Sequence, residues 1–153
     1  MSRRLKQAAV VLVVVFAAAQ VIRPERANPA TDVNHTIQTR VGTANGLVAV
    51  LDRACGDCHS NATVWPAYTG IAPLSWLMTY AVRQGRTAVN FSEWTAYPPE
   101  RQRQLLVASC RDVSAGKMPG GAWTLLHPEA RLSAIDIETI CAATRETQTN
   151  AGR

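Results

Sequence analysis

Cys55-Gly56-Asp57-Cys58-His59 decides the reading of this chain, because C-x-x-C-H is the attachment signature of a c-type haem. On a helical turn Cys55 and Cys58 lie three apart, so both sulfurs face one porphyrin edge and can add to its two vinyl groups. His59 follows one turn beyond Cys55, on the face where an imidazole can ligate iron. Two rival chemistries fit less well. A redox dithiol calls for a thioredoxin-like alternation of strands and helices, and none surrounds the motif. A zinc site needs two further ligands at suitable spacing, whereas Cys110 and Cys141 are isolated cysteines rather than a second C-x-x-C pair.

The N-terminus supports the same chemistry independently, since covalent haem is attached outside the bacterial cytoplasm. Arg3, Arg4 and Lys6 form a basic n-region, and Ala8 to Ala19 is an apolar run that Gln20 interrupts before Val21 and Ile22. Residues 1–22 therefore read as a signal peptide or signal anchor. Ala17-Ala18-Ala19 offers a cleavage site, while Ala8 to Ile22 would span only about 22 Å as a helix, short of a hydrocarbon core of roughly 30 Å. Both outcomes stay open: a soluble periplasmic domain, or one anchored through residues 8–22 on the periplasmic side of the cytoplasmic membrane.

Charge adds little. The 153-residue chain has a formal net charge of +5, but three of the positives belong to the n-region and two haem propionates would offset much of the rest. No basic run or recognition motif points to nucleic acid. About 130 residues remain after the leader, enough for one domain and one core. Pro24, Pro29 and the polar stretch Thr31 to Arg40 read as an extended tether over residues 23–42, leaving 43–150 as the haem-binding domain.

That domain reads as all-α. Leu47, Val50, Leu51 and Ala54 recur at helical spacing and lead into Cys55 and Cys58, so the first helix is expected to carry the attachment site at its C-terminal end. Pro73 suits the first turn of a second helix, with Leu74, Leu77 and Ala81 along one face and Gly85 near its stop. Pro98-Pro99-Glu100 opens a third, in which Leu106, Cys110 and Val113 share a side and Gly116 can terminate it. Ser133 and Asp136 form a capping-box variant that starts a fourth, with Ile137, Ile140, Cys141 and Thr144 inward.

For the sixth position on iron the best candidate is Met118, in the loop Gly116-Lys117-Met118-Pro119-Gly120 between the third and fourth helices. A thioether favours ferrous iron and raises the potential; the alternative is that Met118 merely packs in a core gap, the usual place of a methionine, while Met1 is the initiator and Met78 falls inside an expected helix. His35, in the tether, and His127, before Pro128, are the weaker alternatives. Cys110 and Cys141 flank the Met118 loop, and in an exported chain the reading favours a disulfide over two buried thiols.

Several motifs in register then carry a resemblance. The run Cys55 to Tyr68 (CGDCHSNATVWPAY), Ile71-Ala-Pro-Leu-Ser-Trp-Leu77, Gly85-Arg86, Asn90-Phe-Ser-Glu-Trp94, Met118-Pro119 and Leu126 to Ser133 (LHPEARLS) resembles the haem-binding domain family of small bacterial c-type cytochromes. The likeness covers most of the chain, including the Arg23-Pro24 and Asn28-Pro29 segment. It implies a cytochrome c-like helical domain around one covalent haem, with Cys55 and Cys58 as attachment residues, His59 proximal and Met118 distal. Gly120 stands where the family pattern often has a second proline, and the Cys110/Cys141 pair lies outside that pattern. Trp65, Tyr68, Trp76 and Trp94 offer flat area and polar edges for a haem crevice, and Arg83 and Arg86 could pair with propionates.

The expected protein is a monohaem electron carrier working between a donor and an acceptor protein, not an enzyme. The competing expectation is an open-site haem enzyme or a redox or gas sensor, which requires Met118 to be absent from iron or displaceable.

Overall fold

The computed structural model describes residues 2–41 and 46–151, with side chains for residues 2–39 and 46–145. The boundary expected between residues 42 and 43 falls outside the described residues. Helix α1 spans Arg3–Ala19, with the Ser2 hydroxyl accepting from Leu5 N at 3.4 Å and Gln20 as C-cap. None of its residues is buried. Its 17 residues rise about 25 Å, and among the described residues no helix is long and apolar enough to cross a membrane.

The chain after α1 is extended, as expected, but it does not hang free. Gln20 holds the backbone of Ala72 from both sides, its Oε1 accepting from Ala72 N at 3.0 Å and its Nε2 donating to Ala72 O at 3.4 Å. The Trp76 indole donates to Ile22 O at 2.8 Å, and Asn28 Nδ2 donates to Thr63 O at 2.8 Å. Isolated prolines and short polar residues look like a linker in sequence because these bonds are non-local. The segment is a strap laid along the domain. It ends in a turn at Val33–His35 and a short helix, α2 (Ile37–Val41), whose Ile37 is fully buried against the turn Phe91–Ala96.

The expected helices follow. Leu47, Val50, Leu51 and Ala54 are the buried face of α3 (Leu47–Ala54), but the chain breaks direction at Cys55, so Cys58 and His59 lie on a separate short helix, α4 (Gly56–His59), and not on the end of α3. Helix α5 (Leu74–Ala88) corrects two details. Its buried face is Ser75, Thr79, Val82 and Gly85, while Leu74 and Leu77 are exposed; and it runs past Gly85 to Ala88. Small residues face inward there because the helix packs tightly on α4. Helix α6 (Pro99–Ser114) buries Leu105, Leu106 and Val113, and Gly116, at φ +65°, follows its end. A further short helix, α7 (Gly121–Leu126), had no periodic signal.

Helix α8 (Ala134–Ala151) opens on the reciprocal box expected of Ser133 and Asp136: Ser133 N donates to Asp136 Oδ2 at 2.8 Å, and Asp136 N to Ser133 Oγ at 3.1 Å. Ile140 is fully buried. No strand occurs among the described residues, so the fold is all-α. The core joins α3, α6 and α8 to Phe91 and Trp94, with α6 lying along α8. Arg53 ties α3 to the start of α8 through Asp136 at 2.9 Å and to Arg131 O at 3.1 Å.

Cys110 on α6 and Cys141 on α8 are bridged, with Cα atoms 4.8 Å apart. The bridge closes a loop of sequence separation 31 that contains Met118. For a loop of that length the chain-entropy account gives roughly 3 to 4 kcal/mol. Replacing both cysteines by serine should lower the urea midpoint by a corresponding amount, and a midpoint equal to that of the oxidised parent would show that α6 and α8 hold the loop unaided.

Candidate functional site

The attachment turn is built by a change of direction. Cys55 is both the C-cap of α3 and the N-cap of α4, its N–H bonded to Leu51 O at 2.9 Å and its carbonyl accepting from His59 N at 2.9 Å. Cys55, Cys58 and His59 therefore share one tight turn. The two thiols are partly exposed and not bridged to each other. Downstream, Asp57 fixes the exit of the turn: its carboxylate accepts from Val64 N at 2.8 Å and its carbonyl from Thr63 Oγ1 at 2.6 Å.

The last turn of α5 clamps the motif. A Cβ on Gly85 would lie 2.3 Å from the Cys58 carbonyl oxygen, so only glycine permits the approach. One residue on, Arg86 donates to Ser60 O at 2.8 Å, Ala27 O at 2.9 Å, Asn28 Oδ1 at 3.0 Å and Thr63 Oγ1 at 2.9 Å. Arg86 thus joins strap, attachment turn and loop, and its guanidinium is committed to them. At the helix end, Val89 O faces His59 Nδ1 at 3.2 Å. With Nδ1–H donated there, Nε2 carries the lone pair that can ligate a metal. Phe91 packs beside the ring at 6.0 Å.

Electrostatics separates the competing chemistries. Burial first, then the Cys58 sulfur, pushes the Cys55 thiol up to about 11; burial first, then Asp57, does the same to Cys58. A catalytic dithiol requires the opposite shift. Burial likewise lowers His59 below its ordinary value, keeping the imidazole neutral and available as a ligand. Among the described residues no group of three or more His, Cys, Asp or Glu could hold a metal ion.

The Met118 loop is organised by the end of α6. Asp112 O accepts from Lys117 N at 2.9 Å and Met118 N at 3.3 Å, and the positive φ of Gly116 allows the reversal. The Met118 side chain is 48% exposed. Beyond it, α7 packs mainly on the turn Pro128–Ala130 and ends at His127. His127 stacks on Trp123 with ring centres 3.7 Å apart. Its Nδ1–H faces Glu129 at 2.9 Å, leaving Nε2 to accept from the Tyr68 hydroxyl at 2.6 Å. Burial first, then Asp57, Cys58 and Glu129, raises the Tyr68 phenol, so it stays a donor.

Both His127 nitrogens are therefore used in a clasp joining the segment after the attachment turn to the segment after Met118. Neither is free for iron. His35 lies on an exposed turn. The tryptophans divide: Trp65 Nε1 donates to Asn28 Oδ1 at 3.2 Å and Trp76 to Ile22 O, so both serve the strap, while Trp94 is a core residue at 2% exposure, packed on Phe91 and Tyr97. Sequence reasoning missed the buried pair Asn61 and Asn90. Asn90 Nδ2 donates to Asn61 Oδ1 at 2.8 Å, and Asn61 N to Ser92 Oγ at 2.9 Å, a network signalled only by the Asn90-Phe-Ser motif.

The donor set fits a haem: two protonated thiols for vinyl addition, a neutral imidazole with Nε2 available, and a thioether on a separate loop. Val64, Ile71, Leu74, Leu125 and Leu126 are exposed in segments that follow the attachment turn or Met118, and a porphyrin is the kind of apolar group they can cover.

Two outcomes follow. Gly85→Ala should cost roughly 2 to 3 kcal/mol and cut the yield of covalent haem, read by melting temperature and by pyridine haemochrome per chain; an unchanged yield would remove the clamp from the argument. In haem-free chain, Cys55 and Cys58 should react with iodoacetamide at pH 8 on the order of a hundredfold more slowly than a free cysteine. A rate near that of free cysteine would return the dithiol to contention.

The model of the family described as the haem-binding domain matches residues 14–146. No curated protein and no solved structure matches the chain. With the attachment turn, the neutral imidazole and this match over most of its length, the chain belongs to the haem-binding domain family.

Proposed function

We propose that the protein is a monohaem c-type cytochrome that carries single electrons on the periplasmic side of the cytoplasmic membrane. The observation that carries the proposal is the clamped turn, with two unbridged, protonated thiols and an imidazole whose Nδ1 is already committed to Val89 O. In this reading Cys55 and Cys58 would hold the haem through two thioethers, each arising from addition of an S–H across a vinyl group with no net redox change. His59 Nε2 and the Met118 sulfur would hold its iron. When bound, the haem supplies a reversible ferric/ferrous couple. The chain's part is to fix the ligands, keep His59 neutral and shield the iron, while donor and acceptor proteins dock at an exposed edge.

A second reading has its own support. Met118 is half exposed and is held through its main chain, so its sulfur is the more easily displaced ligand. An open-site enzyme or sensor would use that freedom.

Absorption spectra of oxidised and dithionite-reduced protein, matured in a strain that attaches haem c, separate the two. The electron carrier should be low-spin in both states, with the weak near-red band of methionine-ligated ferric haem. Met118→Ala should abolish that band and lower the potential by roughly a hundred millivolts or more. High-spin parent spectra and an unmoved potential would transfer the assignment to the open site.

A further inference from the structure

Between the end of α1 and the start of α5 the strap borders a hollow of about 70 Å³ that opens to solvent. Arg23 and Arg26 both line it, together with Gln20, Thr69, Gly70 and Ser75, and none of the described residues lining it is acidic. Arg26 Nη1 donates to the hydroxyl of the fully buried Thr69 at 3.3 Å. Gly70 lies beside that nitrogen, where a Cβ would be in ordinary contact with it at 3.7 Å. Arg23 is steadied by one bond from Nε to Gln20 O at 3.3 Å. A guanidinium has about five N–H donors, and these bonds engage one on each arginine. Two forks set against a polar hollow without a carboxylate match the needs of a phosphate group.

The location says where such a group would come from. Gln20, which caps α1, also lines the cavity. Along α1 the apolar side chains from Val10 to Phe16 are each more than half exposed, a surface suited to lipid rather than water. A helix of this length is shorter than a hydrocarbon core, so residues flanking it must reach the headgroups. Arg23 and Arg26 are the cations that follow it directly.

We propose that this cavity binds a phosphate group, supplied by the headgroup of an anionic phospholipid at the outer membrane–water interface. The phosphate site rests on the cavity itself; the lipid source rests also on the anchored reading of α1. Headgroup capture would fix the strap, and through Trp76 and Arg86 the strap would set the orientation of the haem domain over the membrane.

The test uses full-length, haem-loaded protein and compares it with R23Q/R26Q and R23K/R26K variants. Each is floated with vesicles of phosphatidylcholine alone and with vesicles containing phosphatidylglycerol, and each in detergent is dialysed against inorganic phosphate. Unchanged haem spectra report that the variants are folded. The expected result is flotation of the parent with both vesicles, tighter with phosphatidylglycerol, and loss of that preference by roughly thirtyfold in R23Q/R26Q. The lysine variant should lose most of it as well, because it keeps the charge but not the fork. Full preference in the lysine variant would overturn the site and leave only surface charge. Failure of the parent to float would sink the anchored reading alone, and phosphate retention by the parent but not by R23Q/R26Q would then assign the cavity to free phosphate. No arginine-dependent difference in either arm would overturn the proposal.

Discussion

The approach of α5 to the attachment turn is the constraint on which the rest of the structure depends. Gly85 meets Cys58, Arg86 meets Ser60 and Val89 meets His59, so one helical turn is read against one other, residue by residue. Such contact has a low tolerance, because a backbone carbonyl cannot move aside as a flexible side chain can. It also explains why α5 buries Ser75, Thr79 and Gly85 rather than its leucines. Bulk on that face would lift the helix off α4 and release the His59 ring from its acceptor.

Around this contact the protein uses polar bonds where a small core cannot reach. Asn61, Asn90 and Ser92 are buried yet mutually bonded, so they fix the chain leaving the turn without leaving unpaired polar atoms behind. Arg86 performs the same service at the surface, joining three segments by four bonds. The strap is the clearest case: it adds few apolar contacts, but through Gln20, Ile22, Asn28 and Arg86 it is bound along its length. A chain of this size gains most where one residue closes several gaps at once.

What the sequence announced were the features with local signals. The periodic Leu47–Ala54 run, the Ser133/Asp136 box and the Gly116 reversal are each written in neighbouring residues, and each stands as expected; the C-x-x-C-H residues do form one helical turn, but on a helix of their own after the break at Cys55. The features it hid are non-local. Ile37 is a lone apolar residue in a polar stretch, and only the distant Phe91–Ala96 turn makes it core. Gly85 looked like a stop because glycine commonly ends helices; its reason lies 27 positions away, at Cys58. Trp94 read as a cofactor aromatic and lies behind Phe91 in the core. Trp65 and Trp76 spend their indole N–H groups on backbone and side-chain acceptors that no spacing rule connects to them.

The two candidate ligands are supported by different halves of the molecule, and this bears on the proposed electron transfer. His59 belongs to the α4–α5 clamp. Met118 belongs to the α6–α8 pair, where the Cys110–Cys141 bridge and the turn at Asp112 set its loop. An electron carrier needs both ligands retained through the redox change, so relative motion of the halves must be small. The Tyr68–His127 hydrogen bond crosses between them, and stacking on Trp123 together with the bond to Glu129 fixes the imidazole that receives it. A hydroxyl–imidazole bond of this kind is worth about 1 kcal/mol alone. It adds to the core that α3, α6 and α8 share and to the Arg53–Asp136 ion pair, which already join the two halves. In the proposed cytochrome the clasp thus favours a retained Met118, and loosening it is the route by which the same chain would acquire an open site.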